Sequence, residues 1–395
     1  MALLLQPKHA DSASAFLDQT SQLSWIEISR SAVAHNLTVL KKIVGEEVVL
    51  APCIKSNAYG HGLIPFATIL TELGIQWLSV QNIEDALLLK SANIPAKILV
   101  MGPVLPCYLE EVVHYQFRLF ISDELSLPLL AAEARKQGQA LPVHCEVDTG
   151  MARYGALPED FAPLLQKIQQ YPELHLEAIV THFASAGGPR NNPHFVQQFD
   201  LFTALVEDVL QSGIKPSINA AKSSAAILYP PTRFNMIRPG IILYGSSGSA
   251  ETERGLNEGN HHLEPALTFK SRVTMLKTVP AGTPISYDAT KITEQETQIA
   301  VIPVGYAEGV NRLLSNQGYV LIHGQKAPIL GRVCMNVIMV DVTPIPNVKL
   351  NEEVVLIGRQ GNEIIHVDEI ARMTQTIPYE VLTSLREGLA RFIVD

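Results

Sequence analysis

The sequence predicts an α/β fold in which an N-terminal (β/α)8 TIM-type barrel is followed by a mainly β C-terminal domain. The first observation is that short apolar runs alternate with segments of helical spacing from about residue 48 to residue 240. The second is that there are eight such runs, the number that closes a parallel barrel. The third is a change after residue 240 to alternating strand patterns separated by turn residues.

The eight apolar runs are rich in β-branched residues, as expected for parallel strands that are buried on both faces. They span residues 48–54, 77–80, 98–101, 118–121, 143–147, 177–180, 216–219 and 235–238. Helix-like segments between them include 64–73, 83–92 and 124–137, with Ser122 and Asp123 as expected caps of the last.

The predicted barrel has a strand pattern and a helix pattern ahead of its first strand. Residues 25–28 have the strand pattern and could pair with either domain, and residues 31–44 have helical spacing. We therefore expect a barrel domain over residues 25–260, preceded by an N-terminal extension at residues 1–24.

The second domain is expected over residues 261–395, after a linker rich in Gly, Ser, Asn and Glu at residues 246–262. Strand patterns beyond the linker predict a sandwich or barrel-like β domain with two short helices. The strands are expected at 267–279, 298–304, 319–322, 333–342 and 354–357, and the helices at 368–373 and 379–385.

The composition is that of a globular chain that can bury sizeable cores. Its 395 residues are 47% hydrophobic and 17% charged, with a formal net charge of -9 and no Lys/Arg-rich run, so we expect no nucleic-acid partner. Four widely spaced cysteines predict free thiols and no metal site. No run reaches the ~20 apolar residues of a membrane span. The run at residues 2–5 is too short for a signal-peptide core, so we expect a cytoplasmic protein with no membrane partner.

Lys55 follows the first predicted barrel strand directly and opens the segment 55–62. Reactive groups of a barrel lie at the carboxyl ends of its strands. The two glycines of this segment permit close backbone approach to a ligand, and Asn57 and Tyr59 supply hydrogen-bonding groups. A lone lysine at a strand end is most often simply solvated, but a lysine in such a pocket can form a Schiff base with a carbonyl compound.

Polar residues also follow the later strands of the predicted barrel. Arg153 comes after the fifth strand, His182 after the sixth, Ser223 after the seventh and Arg238 at the eighth. Because all of these strand ends meet on one rim, they indicate a site. Ser223 and Ser224 open a predicted helix through residue 228, where they either favour an anion or act as plain helix caps.

The segment 55–62 resembles the attachment signature for pyridoxal 5'-phosphate (PLP) of alanine racemases, and further matches follow in order from about residue 25 to the end of the chain. They comprise 148–153 with Gly155, 181–184, 238–240 with Tyr244 and Gly245, Ser286 with Tyr287, 305–307, 332–335, and Tyr379 with Glu380. The resemblance implies PLP as cofactor, a homodimer with shared active sites, and interconversion of L-alanine and D-alanine that supplies D-alanine for peptidoglycan.

The resemblance also implies two bases and their supporting groups. Lys55 would hold the cofactor and serve the D-enantiomer, and Tyr287 would come from the other subunit and serve the L-enantiomer. Arg238 resembles the arginine that donates to the pyridine nitrogen, which should discourage transamination. His182 would lie against the cofactor ring and hydrogen-bond Tyr287; without the motif it would be taken for an ordinary buried histidine.

The remaining implied positions bind the phosphate, bind the substrate carboxylate or line the access channel. Those matching phosphate-binding positions are Tyr59, Ser223, Gly240, Ile241 and Tyr379. Those matching carboxylate-binding positions are Arg153 and the backbone N–H of Met335. Those in supporting or channel positions are Glu146, Tyr306, Arg312 and Arg332. The bulky phenol of Tyr379 fits alanine better than a larger amino acid.

The chain departs from the family pattern at four positions. Many members carry a carbamylated lysine, an anion that orients the arginine, where this chain has Glu146. We hypothesise that the carboxylate of Glu146 supplies the same charge without carbon dioxide, since strand alternation puts residues 144, 146 and 148 on one face. Lys222 stands in place of an asparagine, Asn336 in place of an aspartate, and Gly187 where an acid is common, which leaves substrate range and affinity open.

Three alternatives to an alanine racemase are considered. A racemase of broader specificity, or one acting on serine, would use the same chemistry. A barrel-type PLP amino-acid decarboxylase shares the architecture but should offer a cysteine in place of the Ser286 and Tyr287 element. A non-catalytic PLP-binding barrel lacks a second domain, so the roughly 130 residues after the linker argue against it.

Overall fold

The computed structural model describes residues 19–395, which form two compact units. The larger unit comprises Ser29–Ala266, Ile377–Thr383 and the last residue, Asp395. The smaller unit comprises Leu267–Thr376 and Ser384–Val394, together with the described residues up to Ile28. Of the expected N-terminal extension, residues 1–18, including the apolar run at 2–5, lie outside the described part of the chain.

Strands and helices alternate in the first part of the chain, and strands dominate the second. The strands are β1 Ser24–Ser29, β2 Val49–Leu50, β3 Trp77–Val80, β4 Lys97–Val100, β5 Arg118–Ile121, β6 Leu141–Glu146, β7 Leu174–Val180, β8 Ser217–Lys222, β9 Met236–Arg238, β10 Leu267–Arg272, β11 Met275–Val279, β12 Pro284–Ile285, β13 Lys291–Ile292, β14 Thr297–Ile302, β15 Tyr319–Ile322, β16 Gln325–Pro328, β17 Ile338–Asp341, β18 Glu353–Gln360, β19 Glu363–Ile365 and β20 Ala390–Val394. The helices are α1 Arg30–Val44, α2 Lys55–Tyr59, α3 Leu63–Glu72, α4 Ile83–Ser91, α5 Leu109–His114, α6 Leu127–Gln137, α7 Pro158–Gln169, α8 Pro193–Gln211, α9 Ser223–Leu228, α10 Ala250–Glu258, α11 Val367–Met373 and α12 Pro378–Thr383.

The larger unit is built around eight parallel strands in the order β2-β9-β8-β7-β6-β5-β4-β3. Two hydrogen bonds join the ends of this order. The N–H of Ile54 donates to Ser79 O at 2.9 Å, and the N–H of Ser79 donates to Pro52 O at 2.8 Å. The sheet therefore closes on itself, and the predicted barrel with its helices is confirmed.

The barrel helices are stabilised by capping and by burial of one face. At the start of α1, Ser29 Oγ accepts from the N–H of Ala32 at 3.0 Å, and at the start of α4, Asn82 Oδ1 accepts from the N–H of Asp85 at 2.7 Å. Each cap contributes about 1 kcal/mol. Helix α3 buries Phe66 completely, and burial of such a side chain contributes roughly 2 kcal/mol.

The expected linker at residues 246–262 is wrong in one respect, because it contains helix α10. Ser249 begins this helix by accepting a hydrogen bond from the N–H of Thr252 at 3.2 Å. The helix buries Thr252 and Leu256, and Gly255 lies so close to Leu228 that an added Cβ would be 2.6 Å from its side chain. A narrow apolar stripe is enough to hold a short helix against α9, so the polar composition was misleading.

The start of α6 also differs from the prediction. The helix begins at Leu127 rather than at residue 124, and neither expected cap serves it. The side chain of Asp123 accepts from the N–H of Leu125 at 2.8 Å, which forms a turn in place of the first helical turn. Ser122 Oγ instead accepts from the N–H of Gly155 at 3.2 Å, a contact across the rim of the barrel.

The smaller unit contains two larger sheets and a short hairpin. The strand order in the larger sheet is β16-β15-β18-β10-β1-β20, with β19 on β18, and the smaller sheet has the order β11-β14-β17. Strand β1 pairs antiparallel with β10, with Ile26 opposite Phe269. Residues 25–28, expected within the barrel domain, thus belong to the β unit, which otherwise begins at Leu267 rather than at residue 261.

Two expected strands of this unit are shorter than predicted. The pattern at 267–279 divides into β10 and β11, and only Ile338–Asp341 of the pattern at 333–342 forms a strand. The carbonyl oxygens of Cys334 and Met335 accept from the N–H groups of Tyr306 and Ala307 at 3.1 and 2.9 Å, so this part pairs with a loop rather than with a strand. Within residues 19–395, no helix is long and apolar enough to cross a membrane.

Candidate active site

A cavity of about 770 Å³ lies at the carboxyl ends of the barrel strands, within the larger unit. It brings together ten of the fifteen residues to which the sequence analysis assigned a catalytic, binding or supporting role, from five strand ends and from helix α12. They are Lys55, Tyr59, Glu146, Arg153, His182, Ser223, Arg238, Gly240, Ile241 and Tyr379. The other five, which belong to the smaller unit, are Tyr287, Tyr306, Arg312, Arg332 and Met335.

Lys55 stands at the start of α2, whose backbone is left-handed and strained and leads into the loop before α3. Residues 56–59 have φ angles of 53, 53, 49 and 51°, in the left-handed region that residues with a Cβ adopt at a cost. Asn57 holds the loop, because its Oδ1 accepts from the N–H of Leu63 at 2.7 Å and its carbonyl accepts from the N–H of Gly62 at 2.9 Å. The ε-amine of Lys55 has neither a hydrogen bond nor an ion pair within residues 19–395, so it is free to react.

Arg238 is a buried cation whose donors are fixed by the barrel. Its Nη1 donates to Asn219 O at 3.1 Å, and its Nη2 donates to Thr181 O at 2.8 Å. Burial lowers the pKa of Arg238 to about 10, although the carboxylate of Glu146 opposes this effect. The guanidinium therefore stays positive at neutral pH.

His182 lies among several cations in the same cavity. Burial is the main cause that lowers its pKa well below the ordinary value, and the charges of Arg238 and Lys222 lower it further. Its carbonyl accepts from Gln198 Nε2 at 3.2 Å. The imidazole is therefore neutral at neutral pH and presents one donor and one acceptor.

Tyr59 is a buried phenol at one end of the cavity. Its ring centroid lies 4.6 Å from that of Tyr244 and 5.8 Å from that of Tyr379. Burial raises the pKa of Tyr59 well above its ordinary value, and the neighbouring Cys53 raises it further. The phenol therefore stays protonated and can donate a hydrogen bond to an anion.

Small residues keep a recess open beside this phenol. A Cβ on Gly240 would lie 2.7 Å from Tyr59 Oη, and a Cβ on Gly248 would lie 3.0 Å from Tyr379 Oη. Ser223 Oγ accepts from the N–H of Gly240 at 2.9 Å, so its own proton can be donated elsewhere. The recess is thus lined by the phenols of Tyr59 and Tyr379, by the Ser223 hydroxyl and by glycines.

The side chains that line the cavity are predominantly positive. Lys55, Arg153, Lys222 and Arg238 carry four positive charges, and Glu146 is the one carboxylate among the lining residues. Glu146 is buried and its Oε2 has no hydrogen-bond partner in the described part of the chain. Burial raises the pKa of Glu146, against the opposing charges of Arg238 and Arg153. The cavity is therefore suited to a ligand with several negative charges.

The predicted residues of the smaller unit lie on loops that are hydrogen-bonded to one another. Ser286 Oγ donates to Arg332 O at 2.7 Å, which places Tyr287 on the loop beside Arg332. Arg332 Nε lies 3.5 Å from Asp288 Oδ2. Ser315 Oγ donates to Arg312 O and accepts from the N–H of Val333 at 3.0 Å. Residues that are far apart in sequence are thus neighbours in this unit.

Three of these residues are unusually exposed for their size. The exposed fractions are 66% for Tyr287, 45% for Tyr306 and 56% for Met335. The backbone N–H of Met335 donates to no group in the described part of this unit. An apolar cluster with a free N–H is unusual on a monomer surface and is typical of a surface that contacts another molecule.

Several residues that line the cavity were not singled out in the sequence. Met101 and Phe120 belong to barrel strand ends, a position that could have indicated them. Gly248, Ser249 and Thr252 lie in the segment interpreted as a linker, where runs of Gly and Ser could also have indicated close approach to a ligand.

Comparisons with known proteins agree with one another over most of the chain. The alanine racemase N-terminal domain family matches residues 28–248, and the alanine racemase C-terminal domain family matches residues 266–393. An alanine racemase of Halothermothrix orenii is 39% identical over 93% of this chain and 96% of its own length. One of Desulfosudis oleivorans is 37% identical over 93% of this chain and 96% of its own. The crystal structure of alanine racemase from Bacillus anthracis with bound L-Ala-P has a TM-score of 0.86 and 32% identity, covering 95% of each chain.

A barrel with a lysine in the cavity at its rim and a following β domain defines, with these relatives, an isomerase that acts on amino acids. The chain belongs to the alanine racemase family. Membership of this family indicates interconversion of the two enantiomers of alanine.

Proposed function

We propose that the protein is a PLP-dependent alanine racemase, with Lys55 and Tyr287 as its two bases and with active sites shared between the subunits of a homodimer. The D-alanine formed would serve peptidoglycan synthesis. The single observation that carries the proposal is the free ε-amine of Lys55 in a cavity that also holds a fixed Arg238, a neutral His182 and a recess for an anion.

The cavity fits PLP in charge and in shape. Its phosphate would occupy the recess formed by Tyr59, Ser223, Gly240, Ile241 and Tyr379, where hydroxyl donors converge and any Cβ on Gly240 would intrude. Arg238 would donate to the pyridine nitrogen, since its charge persists at neutral pH. When bound, PLP makes the α-hydrogen of an amino acid acidic by drawing electrons into its ring.

The chain's own residues then move the protons. Tyr287 of a second copy takes the α-proton from L-alanine, and Lys55 delivers one to the opposite face through its ε-amine. In the reverse direction the two residues exchange roles. His182 supports Tyr287 by a hydrogen bond, which a neutral imidazole can accept from a phenol or donate to a phenolate.

Substrate binding is assigned to a cation and a backbone amide. Arg153 has no hydrogen bond or ion pair in the described part of the chain, so its guanidinium is available to the carboxylate. The free N–H of Met335 from the second copy would meet the same carboxylate. Tyr306, Arg312 and Arg332 would line the channel by which the substrate arrives.

The exposed cluster of the smaller unit supports the homodimer. Tyr287, Tyr306 and Met335 present large apolar surfaces to solvent, and association of two copies would bury them. A symmetric dimer contributes this surface twice, so each copy would complete the cavity of the other.

Glu146 is proposed to orient Arg153 by charge. The two groups influence each other electrostatically, and the Oε2 atom of Glu146 has no other partner in the described part of the chain. Two cations, Arg153 and Arg238, favour its ionised form against the effect of burial. No carbamylated lysine is then needed.

The proposal is tested by incubating the PLP-loaded protein with each alanine enantiomer in deuterium oxide. Formation of the opposite enantiomer, read by chiral chromatography, with deuterium at the α-carbon, is expected. Carbon dioxide release without racemisation would favour the decarboxylase alternative. A panel of other L-amino acids, serine included, would separate an alanine-specific enzyme from a broad-specificity one.

A further inference from the structure

Arg153 and Lys222 are two cations of the cavity lining that form no ion pair within the described part of the chain. Within residues 19–395 the guanidinium of Arg153 lies 6.0 Å from the centroid of the Tyr154 ring and makes no hydrogen bond or ion pair. Lys222 Nζ donates to Ala184 O at 3.2 Å and to no carboxylate of the described chain. Both side chains therefore have donors available for a ligand.

Hydrogen bonds to α8 join the rim loops near these two cations. Arg153 belongs to the loop after β6, and the loop after β7 lies next to it. His194 connects the two loops, because its Nε2 donates to Gly150 O at 2.7 Å and its Nδ1 accepts from Ser185 Oγ at 2.9 Å. The carbonyl acceptor decides which nitrogen carries the proton.

A second residue of α8 strengthens the same connection. Gln198 Oε1 accepts from the N–H of Ala184 at 2.8 Å, and its Nε2 donates to Thr149 Oγ1 at 3.3 Å. Lys222 Nζ donates to the carbonyl of Ala184. The ammonium group is therefore anchored to the loop after β7, which α8 joins to the loop after β6. The loop that carries Arg153 and the ammonium of Lys222 are thus held by the fold.

The two charges also influence each other. Burial lowers the pKa of Lys222, and the positive charge of Arg153 lowers it further. Both also lower the pKa of His182. An anion placed between Arg153 and Lys222 would relieve this repulsion.

No acidic side chain competes for these cations at the neighbouring position 187. Gly187 lines the cavity, and a Cβ there would lie 3.3 Å from the hydroxyls of Ser224 and Ser249. Glu146 is therefore the one carboxylate of the cavity lining whose charge acts on Arg153. The recess assigned to the phosphate has its own donors in Tyr59 and Ser223.

We propose that Lys222 is a further carboxylate-binding residue, which acts with Arg153 as a two-cation clamp for the carboxylate of an amino-acid substrate. The inference rests on the proposed function and extends it to a position where this chain differs from the family pattern. An ammonium-to-carboxylate hydrogen bond is about twice as strong as one between neutral groups, so the clamp raises affinity for the substrate.

The test uses PLP-loaded protein and propionate, which has the carboxylate of alanine without its amino group. Lys222→Gln is expected to raise the Kd of propionate and the KM of L-alanine about tenfold, with a smaller change in kcat. Lys222→Arg should restore most of the propionate affinity because it restores the charge. Lys215→Gln, which removes an exposed lysine of the same unit, is the matched control and should leave both constants unchanged.

Equilibrium dialysis of PLP distinguishes two assignments for Lys222, contact with the substrate carboxylate and contact with the PLP phosphate. A weaker Kd for PLP with unchanged propionate binding in Lys222→Gln would assign the residue to the phosphate and overturn the proposal. Unchanged values for both ligands would also overturn it. If Lys222→Gln does not fold, the comparison is made with Lys222→Asn. Propionate binding needs no turnover, so absence of racemisation in the wild type would count against the proposed function alone.

Discussion

The hydroxyl of Ser223 accepts a hydrogen bond of 2.9 Å from the backbone N–H of Gly240, which joins the end of β8 to the loop after β9. On its other side, Gly240 lies so close to Tyr59 that an added Cβ would be 2.7 Å from the phenol oxygen. Two groups that are distant in sequence thus meet across a single glycine. This contact leads to the first of five predictions.

Gly240→Ala is expected to weaken binding of PLP by about five- to a hundredfold, since overpacking of this kind costs about 1–3 kcal/mol. The measurement is equilibrium dialysis of PLP against the purified variant. Gly188→Ala is the control, because a Cβ at that lining position would be 3.4 Å from Ser185 O, an ordinary contact. Equal affinities for the two variants would contradict the assignment of the recess to the phosphate.

Lys55→Ala is expected to abolish covalent attachment of PLP and to lower racemisation at least about a thousandfold, because it removes both the attachment point and one base. Mass spectrometry after borohydride reduction detects the covalent adduct. Lys215→Ala should retain both properties, since this lysine is exposed and does not line the cavity. An adduct that persists in the Lys55 variant would show that another amine carries the cofactor.

Tyr287→Phe is expected to keep PLP bound but to lose racemisation, because the ring remains and the acid–base hydroxyl is removed. When this variant is mixed with Lys55→Ala under conditions that exchange subunits, about a quarter of wild-type activity should return if sites are shared in a symmetric dimer. Either variant remixed with itself serves as the control. Persistent inactivity in demonstrated mixed dimers would exclude the action of Tyr287 across subunits.

Removal of bicarbonate is expected to leave racemisation unchanged, because the carboxylate of Glu146 supplies the charge that orients Arg153. Glu146→Gln should raise the KM of L-alanine several-fold through loss of that charge, since paired charges commonly contribute about 1 kcal/mol or more. Activity is measured in degassed buffer with and without added bicarbonate. Rescue of depleted wild-type protein by bicarbonate would reject this role of Glu146.

Glu177 is expected to make stability depend on acid pH. Burial raises its pKa, but hydrogen bonds from His144 and Arg118 outweigh burial and lower it to about 2. Because the folded pKa lies below the unfolded one, the stabilisation is present above the ordinary carboxyl pKa and is lost as pH falls towards 2. Glu177→Gln should therefore destabilise strongly at pH 7, and the difference from wild type should be roughly 1 kcal/mol smaller at pH 3.5.

Urea denaturation at the two pH values measures this difference. Glu207→Gln is a suitable comparison, since Glu207 is an exposed residue of the same unit that makes no ion pair in the described part of the chain. A Glu177→Gln effect that stays constant down to pH 3.5 would show that the carboxylate is not held ionised by its neighbours.

The local hydrophobic pattern of the sequence was enough to predict the barrel, because parallel strands are buried on both faces and appear as apolar runs. Strands β3 and β5 coincide with the runs predicted at 77–80 and 118–121. The same pattern did not predict elements whose structure depends on contacts between residues far apart in sequence. Helix α10 forms because Gly255 packs on Leu228, and β17 is short because residues 334 and 335 bond to a loop.

By itself the sequence determined which ionisable residues stand at strand ends, including Lys55 and Arg238, because a parallel barrel places the carboxyl ends of its strands on one rim. Only the tertiary structure decided the left-handed backbone after Lys55 and the position of Lys222 within electrostatic reach of Arg153. Both depend on hydrogen bonds and electrostatic contacts between side chains and loops, such as that from His194 to Gly150, which no local periodicity encodes.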